Sequence, residues 1–201
     1  MPVSRARPAS ILRLACLGLV LGGPFAVAQA AGDPERAGKA HAPVSLDDLY
    51  ARLKAAGDPG EAKAVAGLIG RRLGRSGSAT VDLLTERART AMSADDLPLA
   101  VELMDRATTL EPTWSEGWSR RAILFARLSD PGDAMADLQR ALVLEPRHFE
   151  AWAALGQLYL AGDDKRRALE AFRRAEAVYP LWDVVRKAID ALAPDVDGRD
   201  L

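Results

Sequence analysis

The chain has 201 residues, 49% apolar and 27% charged, with a formal net charge of −1 and a single cysteine. This length holds one domain of ordinary size with room for a core, the balanced charge implies no polyanion partner, and one cysteine excludes an internal disulfide framework. Aromatic content is only 5%, and the dominance of Ala, Leu, Arg and Glu favours helix, because these side chains lose little freedom on entering one.

The first element is a targeting segment. Residues 1–30 carry Arg5, Arg7 and Arg13, then an apolar run from Leu14 to Ala28, then the small-residue site Ala28-Gln29-Ala30. This is the layout of a secretory signal peptide cleaved after Ala30, and it predicts a periplasmic protein. The run is interrupted by Gly22-Gly23-Pro24 and is too short for a membrane span, which needs roughly 20 residues, so no stable membrane insertion is expected after cleavage. A lipid-modified Cys16 is not supported, because Arg13 stands three residues before it and most of the apolar run follows it. Cleavage removes three arginines and no acids, which turns −1 into −4, and it also removes the cysteine. No thiol then remains for catalysis, redox work or metal binding.

Residues 31–44, AGDPERAGKAHAPV, are small, polar and broken by prolines, which reads as a flexible leader. Helical periodicity follows, first over about 46–56 and 60–73, with Asp58-Pro59 placing an N-cap acceptor before a proline at the first helical position.

From residue 81 the sequence repeats every 34 residues. Taking Phe149 as position 1, Trp152, Gly156, Tyr159, Ala168, Phe172, Ala175 and Pro180 occupy positions 4, 8, 11, 20, 24, 27 and 32. One step back the same positions hold Trp118, Ala122, Phe125, Ala134, Leu138, Ala141 and Pro146; another step back they hold Leu84, Ala88, Ala91, Ala100, Met104, Ala107 and Pro112. Small residues at 8, 20 and 27 let two antiparallel helices approach closely, large residues at 4, 11 and 24 fill the space around them, and Pro at 32 stops the second helix. Thr113 with Glu116 matches a capping box, Asp130-Pro131 an N-cap with proline, and Gly162 a C-cap.

This pattern over residues 81–180 resembles the tetratricopeptide (TPR) repeat. The resemblance implies an all-α, right-handed α-solenoid of antiparallel helix pairs, with units at 81–114, 115–148 and 149–182. Each unit buries its face only against a neighbour, so the ends call for caps. Residues 45–80, in frame from Asp47 but with Lys54 at the small position 8 and Gly70 at the large position 24, are expected to be a degenerate hairpin serving as N-terminal cap. Asp183 to Leu192 carries Val184, Val185, Ala188, Ile189 and Leu192 on a helical stripe and is expected to cap the other end, with 193–201 a flexible tail. The segments RSGSATVDLL, GWSRRA and LEPRHFEAW further resemble short exported bacterial TPR proteins.

No catalytic, cofactor or metal constellation emerges. His41 and His148 lie far apart in sequence, and a metal site needs several convergent ligands. Asp95-Asp96 and Asp163-Asp164 sit at helix starts, where the macrodipole favours acids. Neither G-x-S-x-G nor a phosphate-binding glycine loop is present. The basic clusters at Arg71, Arg72, Arg75 and Lys165 to Arg174 are interleaved with acids and read as solvated faces, not as nucleic-acid sites. Trp114 and Trp182 fall outside the repeat pattern.

The resemblance also implies a concave groove lined by the first helix of each unit, suited to an extended peptide or a helix with apolar anchors from an unidentified protein partner. The candidate groove residues are Thr85, Arg89, Met92, Ser119, Ile123, Arg127, Gln157 and Leu160, rimmed by Asp82, Glu116 and Glu150. Position 9 holds Arg89, Ile123 and Gln157 instead of the Asn of the carboxylate-clamping subset, so that activity is not expected. A structural subunit packing through its convex face or ends is the alternative. Finally, position 7 carries Arg87 and Arg121 where Leu155 stands in the third unit. A charge there calls either for partners, with Asp105 and Asp137 as candidates, or for a head that reaches solvent.

Overall fold

The structure is a computed structural model that describes residues 44–198. Its described part is helical, in the order α1 (Leu46–Ala55), α2 (Pro59–Leu73), α3 (Ala79–Ser93), α4 (Leu97–Leu110), α5 (Ser115–Arg127), α6 (Pro131–Leu144), α7 (Phe149–Ala161), α8 (Lys165–Val178) and α9 (Asp183–Asp197). The signal segment, most of the leader and the last three residues lie outside the described residues. Among the described residues no helix is long and apolar enough to cross a membrane.

Three helix pairs, α3–α4, α5–α6 and α7–α8, fall within the three units of the sequence frame, and α9 stacks on the last. The turn inside each pair is the same device each time. Asp95, Ser129 and Asp163 take left-handed backbone angles (φ 61°, 59° and 60°). The Asp that follows each one, Asp96, Asp130 or Asp164, caps the second helix by accepting a backbone N–H. Between pairs, Trp118 and Trp152 donate their indole N–H to the carbonyls of Pro112 and Pro146, at 3.0 and 2.9 Å. The tryptophan at position 4 thus fixes the proline turn of the preceding unit as well as filling space.

The capping box expected from Thr113 and Glu116 does not form. Trp114 is the N-cap of α5 and makes no side-chain capping bond; the Glu116 carboxylate is engaged instead by Arg120 and His148. The C-terminal helix also runs past the expected 183–192 to Asp197, with Pro194 inside it. Ion pairs from Lys165 to Asp195 and Arg173 to Asp197, both 2.5 Å, hold that last turn against α8.

The hairpin of 45–80 forms both expected helices, but it does not close the front of the first unit. Its apolar face, Leu49, Tyr50, Leu53, Ala62, Val65 and Ile69, packs on Phe149 and Tyr179, with Val178, Leu181 and Trp182 alongside. These residues lie in or beside the turns that join one unit to the next, so the hairpin lies along that edge of the stack. Arg147 reaches back to Asp47 at 2.7 Å, and Trp114 donates to the carbonyl of Leu73 at 2.7 Å.

The front of the stack has no need of this hairpin. Positions 3, 7 and 10 face the preceding unit: Ala151 and Leu155 in α7 and Leu124 in α5 are buried there. In α3 the same positions are Leu83, Arg87 and Thr90, all exposed. A stripe with Arg and Thr at its centre is the polar outer face that a solenoid end requires. Arg87 therefore has its head in solvent, whereas Arg121 is paired with both Asp137 and Asp105.

Candidate functional site

Two cavities open between the first helices α3, α5 and α7. The first, about 250 Å³, lies between α3 and α5, with Thr85, Ala88, Met92, Met104, Ile123 and Leu124 as its apolar and neutral wall and Glu86, Arg89 and Arg120 as its charged lining. The second, about 370 Å³, lies between α5 and α7, among Ala122, Ile123, Ala126, Leu138, Ala154 and Leu158, with Arg127 and Gln157 as its polar residues. Ile123 is 50% exposed and lines both, forming a ridge between them.

The sequence-derived groove residues divide accordingly. Thr85, Arg89, Met92 and Ile123 meet at the first cavity; Ile123, Arg127 and Gln157 meet at the second. Leu160 is exposed but lines neither, and Ser119 is buried. Thr85 is buried too, and its hydroxyl donates to the Val81 carbonyl at 2.8 Å. Thr85 and Ser119 share position 5, which turns toward the following unit: Ala153, the same position in α7, belongs to the core cluster that contains Val185 of α9. Two of the eight are thus structural, and Thr85 contributes floor instead of a free hydroxyl.

The groove cations are paired within the chain. Arg89 binds Glu86 through Nε and Nη2, at 3.0 and 2.5 Å. Arg127 bridges to Asp95 at 2.8 Å and to the Met92 carbonyl at 3.4 Å. Arg120 holds Glu116 at 2.7 Å and lies over the Trp114 ring.

Below the groove, near the edge where the hairpin lies, Glu116, His148 and Glu150 bring three ligand-type atoms within 4.8 Å of one another. The hydrogen bonds show what occupies them. His148 is fully buried and caps α7, its Nδ1 accepting from the Ala151 N–H at 3.4 Å, so Nε2 carries the proton and donates to Glu116 at 3.0 Å. With Arg120 on its other oxygen, Glu116 is engaged at both. Burial works against its ionisation, but the bonds from His148 and Arg120 outweigh it and hold the carboxyl below the usual range. Glu150 goes the other way: desolvation, then the nearby Glu116 charge, raise its pKa.

Sequence reasoning did not find this edge. Its signal was nevertheless present at position 34, where Trp114, His148 and Trp182 place a ring at the N-cap of every following helix. Trp182 stacks on Tyr179 at 5.5 Å and meets Phe149 edge-on at 5.5 Å, building the aromatic floor on which the hairpin rests.

No family model matches the chain. It is 31% identical over 154 residues to a TPR repeat-containing protein of Rhizobium etli, an alignment that covers 77% of this chain and 76% of that protein. In fold it is similar to the first TPR of Spaghetti (RPAP3) bound to the HSP90 peptide SRMEEVD, with TM-score 0.56, 16% identity, and 60% of this chain and 95% of that one covered. It is also similar to the Sgt2 TPR domain from Aspergillus fumigatus, with TM-score 0.56, 20% identity, and 61% and 83% covered. The repeat frame, the stacked helix pairs and the Rhizobium relative agree: the chain belongs to the TPR repeat-containing proteins.

Proposed function

We propose that the concave groove receives a segment of another protein, and that the chain works in the cell envelope as a binding scaffold without catalysis. The observation that carries the groove reading is the pair of apolar cavities sharing the half-exposed Ile123. Exposed apolar side chains beside preformed cavities are how peptide-binding grooves anchor a ligand. The solved Spaghetti domain holds a peptide, which supports a peptide-type ligand here. In the remaining chemistry-bearing cluster His148 caps α7 and Glu116 is its hydrogen-bond partner, which supports a non-enzymatic reading.

The second reading, a subunit that packs through its second helices, rests on Val143 and Leu110, which are 70% and 55% exposed at the ends of α6 and α4. A photo-crosslinking amino acid placed in cells at Ile123 or at Val143 separates the two. Partner adducts at Ile123 support the groove; adducts at Val143 alone transfer the function to the second helices. The envelope assignment rests on Arg5, Arg7, Arg13 and the Ala28-Gln29-Ala30 site, and mass spectrometry of the native protein is expected to find Ala31 at its N-terminus. An intact Met1 in a cytosolic fraction overturns it.

A further inference from the structure

Resting on the groove reading, we infer that the cavity between α3 and α5 is a socket for one aromatic side chain of the protein bound there. The repeat frame supplies the first argument. Positions 8 and 24 line both cavities, as Ala88 with Met104 in the first and Ala122 with Leu138 in the second. In the third unit these positions hold Gly156 and Phe172, and the Phe172 ring lies 2.8 Å from where a Cβ on Gly156 would stand. The fold thus seats a phenyl ring of its own at this place in the repeat. In the first unit the place borders an open cavity of about 250 Å³, and an apolar cavity of roughly 150 Å³ already holds a benzene ring.

The walls favour a ring over an aliphatic chain. Met92 and Met104 both line the first cavity, and thioether sulfurs make favourable contacts with aromatic edges. Arg89 lines it too, joined to Glu86 through Nε and Nη2, along one edge of its guanidinium. Pairing of that kind leaves the flat face available. Arg121 lies 4.8 Å from the Trp118 ring centroid while bonded to Asp137, and Arg167 lies 4.7 Å from that of Tyr159 while bonded to Asp164. Among the described residues no ring lies over Arg89, so its face is open to one from outside. The second cavity is lined by Leu138, Ala154 and Leu158 without a thioether, so the preference belongs to the first. It requires no charge on the ligand.

The test uses the purified full chain with its methionine methyl groups labelled for NMR, titrated with N-acetyl-phenylalaninamide and with N-acetyl-cyclohexylalaninamide. The two amides differ only in the aromaticity of the ring. The expected outcome is a saturable shift of the Met92 and Met104 methyl signals with the phenyl amide, while Met135, which lines neither cavity, stays in place. The cyclohexyl amide is expected to bind at least about threefold more weakly. Ala88→Gly with Met104→Phe copies the third unit and is expected to fill the socket, so that the phenyl amide no longer moves Met92. Equal binding of the two amides, an equal shift at Met135, no saturable shift, or retained binding by the folded double variant overturns the inference. If the double variant does not fold, the two amides on the wild-type chain decide alone. Crosslinking at Ile123 is independent of this titration. Adducts there without a preference between the amides leave the groove reading standing and remove only the aromatic anchor; adducts at Val143 alone remove both.

Discussion

Arg121 and Asp137 meet through two parallel hydrogen bonds, Nε to Oδ2 and Nη2 to Oδ1, each 2.8 Å. Their side chains are only 14% and 7% exposed, and the third guanidinium nitrogen reaches Asp105 at 2.7 Å and Thr108 at 3.2 Å. The guanidinium also lies 4.8 Å from the Trp118 ring centroid. A fork-on-carboxylate pair this enclosed is strong as a unit and damaging when halved. Arg121→Ala is expected to lower stability by about 3 kcal/mol or more, because Asp137 is left charged and buried. Arg121→Leu is expected to fall short of wild type for the same reason, although Leu155 fills this position in the third unit. The double variant Arg121→Leu with Asp137→Leu is expected to recover most of the loss. Urea unfolding midpoints measure all three, and equal midpoints for wild type and Arg121→Ala would falsify the buried pair.

Gly156 is matched to Phe172. A Cβ on Gly156 would stand 2.8 Å from the Phe172 ring, whereas the same positions in the second unit hold Ala122 with the slimmer Leu138. Gly156→Ala gains about 1 kcal/mol of helix propensity but overpacks a rigid ring, which costs about 1–3 kcal/mol. The expected net result is a loss of about 1 kcal/mol. Adding Phe172→Leu should relieve the clash, and the double variant should melt above Phe172→Leu alone. If it melts below Phe172→Leu alone, the size matching is wrong.

Tyr50 is buried beneath Arg147, whose guanidinium lies 4.3 Å from the ring centroid, and its hydroxyl has no hydrogen-bond partner. An unmet buried polar group costs about 1–3 kcal/mol. Tyr50→Phe is therefore expected to stabilise the protein by about 1 kcal/mol, read as a higher melting temperature. A destabilised variant would show that the hydroxyl is engaged in solution.

Glu150 gives a pH signature. Its folded pKa is raised, by desolvation and then by Glu116, so the folded state binds this proton more tightly than the unfolded chain does. Stability from this group is full below the ordinary carboxylate pKa and is lost as pH rises through the raised folded value. Glu150→Gln is expected to raise the melting temperature at pH 7 and to lose that advantage at pH 3. A gain of equal size at both pH values would point to packing in place of charge.

Much of the stack was legible because a 34-residue period restates each contact three times. The small residues at positions 8, 20 and 27 are buried in every unit, Ala100, Ala134 and Ala168 completely, and the prolines fall two residues after the ends of α4, α6 and α8. The groove was legible only in part. Periodicity places Thr85 and Ser119 on the first helices, but their burial depends on how closely the next unit approaches. The site of the hairpin left a periodic trace only on the receiving side, in the rings at position 34; on the hairpin itself nothing marks it, since Asp47 and Arg147 are 100 residues apart. Glu116 looked like a cap residue because its alternative partner, His148, lies 32 residues away.

That hairpin changes the way the molecule must come together. A stack of repeats ordinarily behaves as a one-dimensional chain, in which each unit knows only its neighbours and an end can fray alone. Here the first of the described helices find their seat on Phe149, Tyr179 and Trp182, residues made about a hundred positions later. The hairpin is thus among the last parts of the stack to settle, and closing so long a loop slows folding. Once seated, it ties the melting of the third unit to that of the N-terminal helices, so that the hairpin and the last unit lose structure together.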